Sequence, residues 1–303
     1  MTTVATPSPA IPSIPAAQAG ALDRRAAAVV TPDLVQAYAT DGAVVLRGLL
    51  DAAEVALLAQ GIDANLAAPG PRAIVASQPD DPGFFIEDFC RWRDIPAYQQ
   101  LVTTSPLAAA AGRLMGGQGA RWYHDHMLTK EPGTRQRTPW HQDQPYYNVD
   151  GRSSVSFWIP VDPVERASTL EFVAGSHLGL WLMPRTFMTN EARWFPEGSL
   201  AELPDIDADL ARDPAAHRLL GWALEPGDVV AFHMLALHTA AGVAPGRRRR
   251  VFSVRFLGDD MVHAPRPWKT SPDFPGLAER LPAGAPMDDS LFPLLWQRGA
   301  AQG

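Results

Sequence analysis

Leu224-Glu225-Pro226-Gly227-Asp228-Val229-Val230-Ala231-Phe232, followed at once by His233 and five residues later by His238, holds the plan of the fold in miniature. Pro226 and Gly227 suit a tight turn, and the Val-rich apolar run that leaves it reads as a strand. The same alternation of short apolar runs with turn residues fills the chain from Arg121 to Leu257. Examples are His126 to Thr129, Ser153 to Pro160, Thr169 to Val173, Val229 to Phe232 and Val251 to Leu257. Many short strands in close succession predict a mainly β protein with flanking helices, and the cupin-like jelly roll, or double-stranded β-helix, is the expected architecture. In such a fold, inward-facing residues of opposed strands meet across a cavity although far apart in sequence.

Helical spacing is confined to the sequence before this region. Thr31-Pro32-Asp33 predicts an N-cap with Pro at the first helical position, and Leu34, Val35 and Tyr38 form the apolar stripe. Asp41-Gly42 stops that helix, Ala43 to Arg47 reads as a strand, and Asp51 caps a second helix from Ala52 to Leu66. Its Val55, Leu58, Ala59 and Ile62 recur at helical spacing and are expected in the core. Residues 1 to about 22 are rich in Ala and Pro and are expected to be a disordered leader, the remainder (23–303) forming one domain. An aromatic, Pro-rich and acidic insertion near 178–220, with Trp181, Met183, Pro184, Trp194, Phe195 and Pro196, is expected to act as a lid; the alternative is an irregular cover over the sheet. The tail after Gly258 is expected to wrap the outside.

The 303 residues, 46% of them hydrophobic, suit a globular domain with a sizeable core. A net charge of -7 argues against a nucleic-acid or anionic-membrane partner, and Arg247 to Arg250 is too short a run to reverse that. Cys90 is the only cysteine, which excludes an intrachain disulfide and a thiolate zinc site. It is expected as a small buried apolar residue. The first 30 residues contain neither a secretory pattern nor a stretch long enough to span a bilayer, so cytoplasmic residence is expected.

Chemistry concentrates in Thr138-Pro139-Trp140-His141-Gln142-Asp143-Gln144. In an extended strand His141 and Asp143 point to one face, and His238 could complete a two-histidine, one-carboxylate set. Such a set leaves open positions on an octahedral ion and suits non-haem Fe(II). A His-x-Asp pair also arises as a hydrogen-bonded loop feature. His124-Asp125-His126 is a second cluster, in which only His124 and His126 share a face; it reads as structure or substrate contact. His177 and His233 read as structural.

Ordered blocks surround the motif: Asp41-Gly42-Ala43-Val44-Val45-Leu46, Lys130-Glu131-Pro132-Gly133, Trp140-His141-Gln142-Asp143, Phe172-Val173-Ala174-Gly175-Ser176-His177, Pro226-Gly227-Asp228 through to His238, and Arg249 with Ser253. In these blocks, over about residues 31 to 257, the chain resembles the phytanoyl-CoA dioxygenase family of Fe(II)- and 2-oxoglutarate-dependent oxygenases. The resemblance implies an iron site at His141, Asp143 and His238, 2-oxoglutarate as cosubstrate, and O2. It also implies that Arg249 holds the distal carboxylate of 2-oxoglutarate, with Arg247, Arg248 and Arg250 as competitors. A guanidinium fork suits that task because it donates two parallel hydrogen bonds and keeps its charge when desolvated.

Family counterparts of Thr129 and Trp158 approach the cosubstrate. If Arg249 points inward, Val251, Ser253 and Arg255 share its face by the period of two. Ser253 could then bond 2-oxoglutarate, and Arg255, further along, could take an anionic group of the primary substrate or form a structural pair with Asp259 or Asp260. Tyr146, with Tyr147, would suit an apolar or ring-bearing substrate body. The implied reaction hydroxylates a small organic molecule and releases succinate and CO2; the carboxylate of Asp143 favours hydroxylation over halogenation. A cupin-type metal dioxygenase without 2-oxoglutarate, which would leave Arg249 idle, and a non-catalytic small-molecule binding protein are the alternatives.

Overall fold

The computed structural model describes residues 15–77, 80–183 and 198–299. Residues 16–22, expected in a disordered leader, belong instead to helix α1 (Ala16–Val29), which buries Gly20, Leu22 and Ala26. Asp23 anchors it through an ion pair with Arg113 at 2.6 Å. Alanine's helix propensity and this packing override a composition that reads as disorder. Residues 1–14 lie outside the described residues.

Helix α2 (Pro32–Asp41) is capped by the Thr31 hydroxyl, which accepts from Leu34 N, with Pro32 in the first turn. It ends at Gly42, whose φ of 81° suits glycine, and a Cβ there would sit 2.4 Å from the His177 ring. Strand β1 (Ala43–Leu46) follows, then α3 (Ala52–Ala67), which starts with a full capping box between Asp51 and Glu54. Next come β2 (Ile74–Val75), β3 (Phe85–Phe89), α4 (Pro96–Thr104), α5 (Leu107–Met115) and the long β4 (Gly119–Lys130). The chain continues through β5 (Thr138–His141), β6 (Val149–Asp150), β7 (Ser154–Pro160) and β8 (Leu170–Val173). Then follow α6 (Ile206–Arg212), β9 (Leu219–Leu220), β10 (Val229–Phe232), β11 (His238–Ala240), β12 (Arg249–Leu257), β13 (Val262–His263), α7 (Leu277–Arg280) and β14 (Leu294–Gln297).

The strands form a jelly roll of two facing sheets. The major sheet runs β1-β10-β7-β12-β4-β3-β2, with β14 added beside β4, and the minor sheet runs β5-β11-β8-β9. Every ladder is antiparallel. β12 shows how residue alternation assigns the two faces. Phe252, Val254 and Phe256 enter the core shared with the helices, where Leu58, Ile62, Leu101, Trp122 and Phe157 also pack. Arg249, Val251, Ser253 and Arg255 face the cavity between the sheets.

Of the expected lid, residues 184–197, with Pro184, Trp194, Phe195 and Pro196, lie outside the described residues. Its C-terminal flank packs on the minor sheet through Leu203 and Ile206 against Trp140 and Leu237. Asp207 accepts from the Trp140 indole at 3.0 Å. The tail does more than wrap the outside, since β14 joins the major sheet and Phe292 and Met287 are buried with Tyr123 and Tyr147. Cys90 is half-buried in a left-handed turn (φ 59°), not a core residue, because Asp125 O accepts its N–H and pins the turn. Among the described residues no helix is long and apolar enough to cross a membrane.

His233 lies in the link between β10 and β11. Its Nε2 faces Arg152 O at 2.7 Å and its Nδ1 accepts from Leu235 N at 3.0 Å, so the neutral ring satisfies both neighbours. A second proton on Nδ1 would oppose the Leu235 N–H. Burial lowers the His233 pKa from its ordinary 6.5 to about 4. The unfolded chain therefore binds this proton at higher pH than the folded one. The contribution is fully present above pH 6.5 and is lost as pH falls towards 4, by up to about 3 kcal/mol. The melting temperature of the wild type should therefore fall more steeply over that interval than that of His233→Asn, whose amide oxygen can still accept from Leu235 N. Parallel curves would remove His233 from the acid response.

Candidate metal centre

β5 and β11 are neighbours in the minor sheet, and their register sets His141 directly opposite His238, with ring centroids 4.2 Å apart. Each imidazole is oriented by its own backbone. His141 Nδ1 lies 2.8 Å from Pro139 O, and His238 Nδ1 lies 2.9 Å from Ala236 O. A ring that donates Nδ1–H to a carbonyl keeps an Nε2 lone pair for a metal. Phe172 and Phe232 pack on His238, with centroids at 5.6 and 4.8 Å.

Asp143 reaches the same point by a different route from the one expected. β5 ends at His141, and Asp143 has helical dihedrals (φ -73°, ψ -46°) at the start of a 3-10 turn over Gln144–Tyr146. A turn, not strand alternation, brings its carboxylate beside His141. Met234 O holds that turn by accepting from Asp143 N at 2.8 Å and Gln144 N at 2.9 Å. Asp143 Oδ1 lies 3.5 Å from His141 Nε2 and 3.8 Å from His238 Nε2. Ligand atoms of the three residues all fall within 4.8 Å of one another, and all three side chains are buried.

The other carboxylate oxygen is occupied. Oδ2 accepts from Arg255 Nη2 at 3.0 Å and from Ser156 Oγ at 3.3 Å, while Arg255 Nη1 donates to Ser253 Oγ at 3.0 Å. Arg255 is thus held by Asp143 and Ser253, not by Asp259 or Asp260. Asp260 caps Arg152 N and Ser153 N instead. The fully extended strand suggested too long a reach, but Arg255 projects across the cavity to a residue of the opposite wall. Burial would raise the Asp143 pKa, yet the Arg255 guanidinium and the contact with His141 outweigh it and hold the carboxylate well below its usual range. Burial and the neighbouring His141 lower His238 to about 3, so its imidazole is neutral at ordinary pH.

Three ligand atoms on one side of a point, with His238 neutral and Asp143 anionic, fit a divalent iron that keeps open positions. Arg249 stands on the same cavity wall. It is 5% exposed, donates to Ser168 O and to Ala241 O (3.2 Å), and lies 5.5 Å over the Trp158 ring. Among the described residues no carboxylate pairs with it. Burial lowers its pKa to about 10, which still leaves it charged. Lys130, its cross-strand partner, is also buried and donates to Gln136 O and Ala241 O.

Tyr146, Tyr147, Trp158 and Ser253 line the cavity with the metal set and Arg249. Thr129 does not: Leu128 and Lys130 face the cavity, so Thr129 points to the helix side, where it bonds Met127 Sδ at 3.3 Å. His124 is buried off the cavity wall, whereas His126 lines it. Lys130, Glu87 and Phe89 also line it and were not singled out from the sequence. Alternation along β3 and β4 was the available signal, but β3 was not recognised as a strand. With the solvent-filled space at its mouth included, the cavity holds about 960 Å³ free of atoms.

Two further motif residues act on this geometry. Gln142 donates to Leu180 O (3.1 Å) and Leu235 O (2.9 Å) and accepts from Leu182 N (2.8 Å), tying the start of the insertion to the metal turn. Ser176 Oγ accepts from Leu237 N at 2.8 Å, next to His238.

Several solved structures share this architecture. The non-heme alpha ketoglutarate dependent carbocyclase SnoK from nogalamycin biosynthesis matches with TM-score 0.65 and 23% identity, over 87% of this chain and 96% of that one. The epimerase SnoN in complex with Fe3+, alpha ketoglutarate and nogalamycin RO matches with TM-score 0.67 and 22% identity, over 91% of this chain and 98% of that one. EctD from S. alaskensis, solved with 2-oxoglutarate and 5-hydroxyectoine, matches with TM-score 0.59 and 19% identity, over 86% of each chain. At these identities the likeness establishes the fold. No curated protein matches the sequence. The family model for phytanoyl-CoA dioxygenase (PhyH) matches residues 38–251. Since that span runs from α2 into β12 and carries His141, Asp143, His238 and Arg249, the chain belongs to the phytanoyl-CoA dioxygenase family.

Proposed function

We propose that this chain is an Fe(II)- and 2-oxoglutarate-dependent oxygenase that hydroxylates a small organic molecule and releases succinate and CO2. One observation carries the reading. Two imidazole nitrogens and one carboxylate oxygen converge in a cavity that also holds a buried guanidinium, Arg249, without a carboxylate partner among the described residues. Held by His141, Asp143 and His238, Fe(II) with 2-oxoglutarate and O2 supplies the oxidising chemistry. Arg249 binds the distal carboxylate of the cosubstrate; Lys130 lies beside it, its pKa pushed well down by burial and by the Arg249 charge. Trp158 packs beside Arg249 and fixes its plane. Ser253, already committed to Arg255, steadies the metal side of the cosubstrate pocket.

A cupin-type dioxygenase without 2-oxoglutarate would have the same metal set but no use for a buried, unpaired guanidinium. A non-catalytic binding protein would have little reason to keep every ligand imidazole in its metal-binding tautomer. The named reactions of SnoK and SnoN, carbocyclisation and epimerisation, differ from hydroxylation; hydroxylation is proposed because it needs no group beyond those described. The start of the insertion, tied to the motif by Gln142, is assigned a covering role over the cavity. A single cysteine and a net charge of -7 accord with a reducing cytoplasm and a small-molecule partner rather than nucleic acid.

His238→Ala should abolish Fe(II)-dependent succinate formation from 2-oxoglutarate while the far-ultraviolet spectrum stays unchanged, because the strands do not depend on the ion. Normal turnover in this variant would refute the metal assignment. For Arg249→Ala, 2-oxoglutarate binding followed anaerobically by the Fe(II) charge-transfer band should weaken by roughly 2 to 5 kcal/mol, the range for truncating one partner of a buried charge pair. Fe(II) affinity should survive, and unaltered cosubstrate affinity would move the role elsewhere. Arg255→Met should lower Fe(II) affinity by about 10- to 100-fold, as loss of an outer partner of a metal ligand does. If instead only the primary substrate's KM rises, Arg255 is a substrate residue.

A further inference from the structure

Phe89, His126, Ser253 and Trp158 stand side by side across the major sheet on its cavity face. His126 stacks on Phe89 with ring centroids 3.9 Å apart and planes 18° apart, which fixes the imidazole. One step along the strands, Glu87 reaches diagonally so that its Oε2 lies 3.1 Å from His126 Nε2. Glu87 and His126 are 4% and 8% exposed, and both line the cavity.

The hydrogen-bond inventory of this pair is one-sided. A carboxylate only accepts, so His126 Nε2 carries the proton and Nδ1 is left as an acceptor. The pair therefore offers acceptors. Among the described residues no lysine or arginine forms a close ion pair with Glu87: Arg255 is paired with Asp143, while Lys130, which feels Glu87 only at longer range, and Arg249 donate to backbone carbonyls. A buried carboxylate held by one imidazole is costly unless a further donor arrives. The cavity is where that donor enters. Ile74, directly opposite Glu87 in the β2–β3 ladder, is 49% exposed and also lines the cavity, so Glu87 lies just inside the rim. Phe89, Leu128 and Tyr146 supply apolar wall around it.

We propose that Glu87, oriented by His126, is the specificity residue for the primary substrate and receives a hydrogen-bond-donating group, preferentially a protonated amine, carried on an apolar or ring-bearing body. Charge-assisted bonds are the stronger kind, which favours ammonium over hydroxyl. The inference rests on the oxygenase reading for what happens to that substrate, but the recognition itself needs only the cavity.

Phenethylamine, phenethyl alcohol and benzyl methyl ether keep the ring while varying the donor. Each is titrated anaerobically into the full-length protein loaded with Fe(II) and 2-oxoglutarate, following the charge-transfer band and, separately, the thermal midpoint. The amine should bind at least about tenfold more tightly than the ether, with the alcohol between them, the factor expected for one hydrogen bond to a charged group. Glu87→Gln, which can still bond His126, should erase the amine's advantage and leave the 2-oxoglutarate band intact. Phe89→Leu should weaken all three probes alike without changing their order. Equal affinity for amine and ether in the wild type, no binding of any probe, or an undiminished amine preference in Glu87→Gln overturns the proposal. If the band never forms in the wild type, the oxygenase reading fails, and the thermal ranking of the probes still decides the role of Glu87.

Discussion

The division of the Asp143 carboxylate between two sets of neighbours is the constraint on which the rest of the cavity depends. Oδ2 is taken by Arg255 and Ser156, so only Oδ1 is presented to His141 and His238. Burying a carboxylate costs several kcal/mol unless it is paired and hydrogen-bonded, and removing one partner of such a pair costs about 3–5 kcal/mol. Arg255 therefore keeps Asp143 ionised and at the same time selects which oxygen faces the metal point. The arginine is in turn fixed by Ser253 and Tyr147, whose positions are set by β12 and by the tail that packs around Tyr123. Loss of order in the tail would thus be felt at the metal ligands.

The two sheets divide the work. Histidines come from the minor sheet, where cross-strand pairing alone places His141 against His238. The major sheet supplies most of the groups proposed to meet a small molecule, because antiparallel registry lines up cavity-facing residues in rows across β7, β12, β4 and β3. Phe85, Lys130 and Arg249 make one row; Glu87, Leu128 and Val251 make the next; Phe89, His126, Ser253 and Trp158 make a third. Arg249 puts a positive charge in the first row and the Glu87 carboxylate lies in the second, so the wall is graded in charge from Arg249 towards the rim. The helices α3, α4 and α5 back this wall through Phe252, Val254 and Phe256 and hold its curvature.

Much of this was legible locally. The caps at Thr31 and Asp51, the stop at Gly42, the Pro-Gly-Asp turn and the strands around it depend on neighbours a few residues apart, and they formed where such signals lie. The alternation of β12 correctly put Arg249, Ser253 and Arg255 on one face, since a strand's period of two is a backbone property. The same rule misled at Asp143, because the strand ends at His141 and the Met234 carbonyl imposes a turn that nothing within the motif announces. Carried on from His124 and His126 to the end of β4, it turns Thr129 away and brings in Lys130.

Sequence by itself determined which residues could ligate iron, which faces were apolar and that a jelly roll would result, for these follow from side-chain chemistry and short-range periodicity. Tertiary structure decided what those residues do to one another. Arg255 became the partner of Asp143, not a mate for Asp259 or Asp260, because the two walls of the cavity approach closely enough for one long side chain to cross. Glu87 acquired a role only when β3 paired with β4 beside His126. Such contacts join residues separated by 39 to 112 positions, and no local pattern encodes them, since their energy exists only once burial has removed the water that would otherwise solvate each charge.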